Sequence, residues 1–492
     1  MARSETQAPA PGVPAEGERL ELEVQSLDPH GDGVARTAGG FVVFVEGGLP
    51  GDRVQAVVTQ RAARHARARA ERVLRGSPRR VAPPCPVAGE CGGCPLMALA
   101  YPAQLEAKRR TVVDALQRIG GVREAESRVR PALGMEAPWG YRNKALHPVA
   151  ADGQGRPVLG FFRRGTHQVV AVPACAVQHP LNVRLAAAAR EALEALGLQP
   201  YDEATGRGWV RHVLARTGEG TGEGLLVVVT ASREEPRPGA LVELARRVRE
   251  RVPELVGVVQ NVNPRRTNVV LGPENRLVWG RDHLYERVAG LTLRLSATAF
   301  FQVNTRQADA LYREVRERVE GFLRGRGLAP GTGLLVDLYC GVGGIGLAVA
   351  DLVGQVVGVE EDPRAVSDAQ ANAALNGIAS ARFVAGRVEE VLPQQAAKWR
   401  AAAGGPVMVV VDPPRRGLEP GVVEALAALG PDLLVYVSCN PATMARDLRQ
   451  LTQRAGAAGI AYRWGSVQPV DLFPHTAHVE VVAHLEREEA GR

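Results

Sequence analysis

From about Leu291 onward the chain repeats one unit: a short apolar run, a glycine-bearing turn, then a helical stretch. Leu334 to Leu338, Val356 to Glu360, Pro406 to Val411 and Leu433 to Ser438 are such runs. Strands this apolar need cover on both faces, and intervening helices supply it. The C-terminal part is therefore constrained to an α/β fold with a doubly wound, mainly parallel sheet. Directly after the first run stands Gly341-Val342-Gly343-Gly344-Ile345-Gly346, a G-x-G-x-x-G turn. Such a turn lets the backbone approach a nucleoside cofactor, and Glu360 ends the next strand where a carboxylate would grip ribose hydroxyls. The loop alone does not separate NAD from S-adenosylmethionine. It also suits a turn that only packs strand on helix.

A chain of 492 residues has room for about three domains. Hydrophobic residues at 45% and charged ones at 23% exclude wholesale disorder and fibrous repeats. No apolar run approaches the roughly 18 residues that a membrane span needs. Residues 1–17, rich in Ala, Pro and Glu, read as a disordered tail without a secretory signal, so a cytoplasmic protein with no membrane partner is expected. Residues 18–76 carry short alternating runs (Leu20, Leu22, Val24; Phe41 to Val45; Val54 to Val58) between Gly and Pro turns, which predicts a small β-barrel. Residues 77–285 mix strand-like and Ala-rich helical stretches, an α+β central domain, and 286–492 hold the sheet domain. Within the central part, Pro102 opens an amphipathic helix with Leu105, Val112, Leu116 and Ile119 on one face, stopped by Gly120-Gly121.

The net charge is +7, and Arg61 to Arg80 holds eight arginines against one acid, Glu71. Such a block predicts a polyanion-binding patch, with Arg64 and Arg67 as candidate contacts, although a merely solvated charge run has the same composition. Tyr141-Arg142-Asn143-Lys144 offers Arg142 and Lys144 as further candidates.

Two strand ends carry chemistry: Asp412-Pro413-Pro414-Arg415 and Ser438-Cys439-Asn440-Pro441. Both follow apolar strands, so both belong at the carboxyl edge of the sheet, where open α/β folds bind ligands. A Cys in such a turn is lifted out of the core and reads as a nucleophile. Further on, Phe473-Pro474-His475-Thr476-Ala477-His478-Val479-Glu480 adds two histidines and a carboxylate. Separately, Cys85-x5-Cys91-x2-Cys94 and Cys175 form a set of four thiols outside the sheet domain. In a reducing compartment they suit an iron–sulfur cluster or zinc rather than disulfides.

Taken in order, the barrel, the cysteine set, Phe301-Gln302-Val303-Asn304, Asp337-Leu338-Tyr339-Cys340-Gly341, the Asp412 and Cys439 motifs and His475 to Glu480 resemble the RNA 5-methyluridine methyltransferases with an N-terminal TRAM domain. The resemblance spans about Arg19 to Leu485. It implies a class I (Rossmann-like) S-adenosylmethionine-dependent domain, an OB-like TRAM barrel and a 4Fe–4S cluster on Cys85, Cys91, Cys94 and Cys175. It further implies cofactor contacts from Gln302, Tyr339, Gly341, Gly343, Glu360 and Asp412, with Cys439 as nucleophile and Glu480 as base. Gly344 and Gly386-Arg387 depart from the family pattern, which removes contacts expected there. The substrate implied is RNA, ribosomal RNA before the T-loop of transfer RNA, and the chain is expected to act as a monomer. Two rival readings stand beside it. An NAD-dependent oxidoreductase leaves Asp412 and Cys439 without a role, and a non-catalytic iron–sulfur RNA-binding protein has no need of Cys439 and Glu480.

Overall fold

The computed structural model describes residues 13–488. Most of the expected tail, residues 1–12, lies outside them. Gly17 N–H already bonds the Val58 carbonyl at 2.9 Å, so the ordered barrel begins before Arg19.

Strands Arg19–Leu27, Gly33–Arg36, Val42–Glu46, Arg53–Arg61 and His65–Arg75 close into a barrel. Inward residues recur at every second position, as a pleated strand requires: Leu22 and Val24, Val43 and Val45, Val54, Ala56 and Val58, Ala66 and Ala68. The arginine run is thus largely a barrel strand with its odd-numbered side chains outside. Half of its charge has local partners: Arg67 with Asp32, Arg75 with Glu23, Arg79 with Glu106 and Arg80 with Asp52.

The central sheet has seven strands, in the order Glu274–Gly280, Leu255–Val262, Glu223–Thr230, Val210–Gly218, Lys144–Ala151, Pro157–Phe162 and Val169–Ala171. Helices Pro180–Ala195 and Ala240–Arg251 cover one face through Leu185, Leu193, Leu241 and Leu244. A separate hairpin, His283–Val288 with Leu291–Ser296, follows. The expected boundary at residue 285 falls inside its first strand.

The C-terminal sheet runs Ala381–Ala385, Gln355–Glu360, Leu334–Leu338, Val407–Val411, Leu433–Ser438, Glu480–Arg487 and Tyr462–Trp464, the first five parallel and Glu480–Arg487 antiparallel to its neighbour. The chain order reverses between Leu334–Leu338 and Val407–Val411. That switch point opens the crevice into which the Gly loop and Asp412 project.

The predicted helix at Pro102 is Tyr101–Ala115 followed by a π-turn, Leu116–Gly120. The wider turn rotates Ile119 off the apolar stripe, and it is 38% exposed while Val112 and Leu116 are fully buried. The helix packs on the C-terminal sheet rather than the central one. Its buried polar face was invisible in the apolar pattern: Lys108 (1% exposed) pairs with Asp471 (0%) and donates to the Phe473 carbonyl at 2.9 Å, while the Tyr101 hydroxyl donates to Asp471 at 2.8 Å. Lys108→Met leaves the Asp471 carboxylate buried without its cation and is expected to cost about 3–5 kcal/mol. Thermal unfolding checks this, and Lys108→Met with Asp471→Leu should recover much of the loss. An unchanged midpoint in the single variant would show the pair to be dispensable.

Candidate active site

The Gly loop leaves its strand through strained backbone: Tyr339 sits at φ +63° and is followed by Gly341 at +54° and Gly343 at +81°. Only the glycines adopt these angles freely, so the Tyr339 conformation is held by its surroundings, including its hydroxyl bond to Glu389 at 3.2 Å. Glu360 accepts from the N–H groups of Gly341 (3.0 Å) and Asp362 (2.9 Å), and Asp337 accepts from Gly346 N–H at 2.9 Å. These backbone donors are therefore already committed to carboxylates. A loop built to cradle a pyrophosphate needs them free.

Asp337, Glu360 and Asp412 converge on one cavity of about 560 Å³, which Gln302, Tyr339, Gly341, Cys439 and Glu480 also line. Burial, opposed by the Gly346 N–H and reinforced by the charges of Asp412 and Glu360, pushes Asp337 up to about 7. Burial likewise pushes Asp412 up to about 7. Three crowded carboxylates welcome a cation. A nucleoside bearing a sulfonium and an ammonium fits this field, and a dianionic dinucleotide does not.

The family departures have physical causes. A Cβ on Gly344 would meet the Tyr312 hydroxyl at 2.4 Å, so the Tyr312 ring occupies the room a side chain there would need. At Gly386 a Cβ would come within 2.8 Å of Val391. Arg387 does not line the cavity, but Glu389, two residues on, does. Sequence reading missed Glu389, whose only signal was its nearness to that position.

Cys439 and Glu480 come together because the last strand runs antiparallel to the one ending at Ser438. Ser438 pairs with Val481, so the next step along the register brings Cys439 to Glu480. The turn is built locally. Ser438 Oγ accepts from Asn440 N–H and donates to its carbonyl, both at 3.0 Å, and the Asn440 side chain caps helix Pro441–Ala457 through Ala442 N–H at 3.1 Å. The Asn440 amide also donates to the Arg415 carbonyl at 3.0 Å, which ties the two strand-end loops together.

Burial pushes the Cys439 thiol up to about 11, the charges of Glu480 and Asp412 add to this, and Arg415 opposes it by charge and hydrogen bond. Glu480, 2% exposed, is raised well above the carboxylate range by burial and then by Asp412, with Arg415 opposing. Arg415 is thus a cation close to both Cys439 and Glu480, and its guanidinium also lies 3.3 Å from His478 Nε2. It was quoted in the sequence motif but given no role. Phe300, 64% exposed at the cavity mouth, was also missed.

His475 does not line the cavity. It is stacked on Trp139 at 4.0 Å, and its ring nitrogens face the Gln104 amide (3.3 Å) and the Pro138 carbonyl (3.0 Å).

Cys85, Cys94 and Cys175 pack against one apolar group of Met97, Met135, Tyr141 and Val177. All six cysteines of the chain are free thiols. Burial, then the charges of Cys175 and Cys91, pushes Cys94 up to about 12, with Arg142 opposing. Burial raises Cys91 as well, and Cys175 and Cys85 add to it. The four sulfurs therefore feel one another. Yet no group of three or more His, Cys, Asp or Glu side chains among the described residues is arranged to hold a metal ion.

Of the expected RNA contacts, Arg142 is half-buried beside Cys94 and donates to the Lys144 carbonyl at 3.2 Å. Lys144 faces Arg216 across the sheet, and burial, then Arg216 and Arg142, pushes its ammonium down to about 7. It is a weaker phosphate partner than its sequence suggests. Arg64 is exposed, with no ion pair among the described residues, and Arg67 is held by Asp32 at 3.1 Å. No described helix is long and apolar enough to cross a membrane.

Residues 326–488 match the tRNA (uracil-5-)-methyltransferase family, and residues 15–70 match the TRAM domain. An uncharacterised RNA methyltransferase of Halalkalibacterium halodurans is 38% identical over 467 residues, 95% of this chain and 96% of its own. Another, from Gloeobacter violaceus, is 40% identical over 481 residues, 97% of this chain and 98% of its own. Among solved structures, the Pyrococcus abyssi tRNA (uracil-54, C5)-methyltransferase in complex with S-adenosyl-L-homocysteine is similar at a TM-score of 0.71 and 27% identity, covering 95% of this chain and all 100% of that one. The relatives match nearly end to end, and the acidic crevice suits the cationic cofactor. The chain belongs to the tRNA (uracil-5-)-methyltransferase family of S-adenosylmethionine-dependent RNA methyltransferases and carries an N-terminal TRAM domain.

Proposed function

We propose that this enzyme methylates C5 of one uridine in ribosomal RNA through a covalent adduct between Cys439 Sγ and uracil C6. The observation that carries the reading is the meeting of Cys439, Glu480 and Arg415 on the wall of the acidic cavity. S-adenosylmethionine, when bound, supplies an electrophilic methyl group on a sulfonium. Uracil C5 is too weak a nucleophile to take it unaided. Cys439, as thiolate, adds its electron pair to C6, and the C5–C6 π pair becomes an enolate with carbanion character at C5. Arg415 steadies the thiolate. Once C5 carries the methyl group, Glu480 removes the C5 proton, the C5–C6 double bond re-forms, and the Sγ–C6 pair returns to sulfur.

The preference for ribosomal RNA rests on the family resemblance of the cysteine set and the barrel. Transfer RNA is the second reading, favoured by the transfer RNA substrate of the Pyrococcus abyssi enzyme. Mapping 5-methyluridine in total RNA from cells lacking the protein decides between them. Loss of one ribosomal position supports the first, loss at a transfer RNA position the second, and no loss in either sinks both. RNA contacts fall to the barrel, through Arg64 and its neighbours Arg61, Arg69 and Arg72, which have no ion pair among the described residues, with Arg67 beside them, and to Arg142 and Lys144. The same reading carries a cytoplasmic location.

Cys85, Cys91, Cys94 and Cys175 would hold a 4Fe–4S cluster. The donor set fits in number and chemistry, since four thiols share one partly buried spot, and a polynuclear cluster spaces its thiolates more widely than a single ion does. When bound, the cluster supplies a link between residues 85–94 and Cys175. Protein purified without oxygen should contain about four irons per chain. Stoichiometric zinc with no iron would overturn the assignment.

A further inference from the structure

At the end of the central sheet away from the catalytic cavity, two adjoining cavities of about 520 and 200 Å³ share Tyr201, Glu203 and Arg211. The larger is walled by Phe162 and His167, whose rings stack at 5.4 Å and 24°, and Phe162 is 37% exposed. The smaller is walled by Arg266. Arg211 lies between them under the Tyr201 ring, its guanidinium 4.8 Å from the centroid.

Arg211 is 5% exposed, yet its nearest carboxylate oxygen, on Glu203, is 3.9 Å away. Two carbonyls, of Asn263 and Arg265, hold Nη1, while Nε has no partner. A buried cation so weakly neutralised is costly unless an anion comes to it. Arg266 also has no carboxylate partner among the described residues. Its Nη2 would be 1.9 Å from a Cβ on Gly206, at φ +70°, so a glycine lets the guanidinium lie flat on that loop. Glu203, exposed and shared with His167 at 3.3 Å, leaves a carboxylate acceptor at the seam.

We propose that these cavities hold an unpaired nucleotide of the RNA substrate, its base against Tyr201 and the Phe162–His167 pair and its phosphate against Arg211 and Arg266. Aromatic faces next to arginines are the chemistry by which single-stranded RNA is gripped. Glu203 accepts from the N–H edge of the base, which favours guanine, whose N1–H and N2–H can both donate. Residues 148–151 line the larger cavity, and Lys144 lies at the other end of the same strand, so the site is roughly 20 Å from the residues beside the catalytic cavity. It would register the RNA rather than react with it. None of its residues touches the reacting atoms.

The inference rests on RNA being the substrate. The test is methylation kinetics with the RNA that the wild-type enzyme modifies. Tyr201→Ala and Arg266→Gln should each raise KM about tenfold with kcat unchanged, Tyr201→Phe should behave as wild type, and Arg266→Gln should shallow the salt dependence by about one charge. S-adenosylhomocysteine affinity should not move in any of them. Arg266 is exposed, so its variant reads the site even if Tyr201→Ala unfolds. An unchanged KM and salt slope in Arg266→Gln, while wild type methylates RNA normally, overturns the site. No RNA methylation by wild type overturns the functional reading instead.

Discussion

Cys439→Ala will abolish RNA methylation, by at least about 10⁴-fold if the thiolate is the nucleophile, because without addition at C6 no electron density reaches C5. S-adenosylhomocysteine binding should survive, since the substitution removes one sulfur from the wall of the cavity and leaves the carboxylates in place. The wild-type enzyme should be trapped covalently on RNA carrying 5-fluorouridine, for the methylated adduct then has fluorine where the departing proton should be. The rate of trapping at low RNA concentration should climb with pH. With the thiol at about 11, the reactive thiolate is scarce at neutral pH and increases about tenfold per unit between pH 7 and 9. Arg415→Gln should lower that rate further, because the one opposing charge is gone. A flat profile would mean that the thiol is not the titrating group, and normal turnover by Cys439→Ala would remove it from the mechanism.

Glu480→Gln should separate the two halves of the reaction. Addition and methyl transfer need no base at Glu480, but release does, so turnover should fall about 10²–10⁴-fold while the adduct accumulates. Incubation with unmodified RNA and methyl-labelled cofactor, followed by a denaturing gel, should show a slow protein–RNA band carrying the label. Burial and Asp412 raise Glu480 well above the carboxylate range, so an uncharged amide of the same shape should affect folding little. Full turnover without such a band would give the proton to another group, and Asp412 is the nearest candidate. His475 is not one, because both of its ring nitrogens are engaged by Gln104 and Pro138.

Much of this site was legible before any coordinates, because its parts lie at strand ends and strands announce themselves. The runs ending at Leu338, Glu360, Val411 and Ser438 are the observed strands to within a residue. Asp412 and Cys439 follow from the rule that such ends meet at one edge. What stayed unseen shares a cause: an apolar pattern says nothing of polar groups that meet distant partners. Lys108 and Gln104 lie off the apolar stripe of their helix, but Asp471 and His475 meet them from some 360 to 370 residues later. The arginine run looked free, yet Asp32, Glu23, Glu106 and Asp52 take four of its charges.

Local sequence was enough for the parallel sheet, the barrel, the strained Gly turn and the capped turn that presents Cys439, since each depends on residues a few positions apart. It was also enough, through several motifs in order, to place the chain in its family. Tertiary structure alone decided that Glu480 reaches Cys439, because antiparallel register in the last strand is set by hydrogen bonding between segments 43 residues apart, with Ser438 opposite Val481. It alone decided the protonation of the site. Asp337, Asp412 and Glu480 are ordinary acids in an extended chain and become weak ones where folding removes water and sets them side by side.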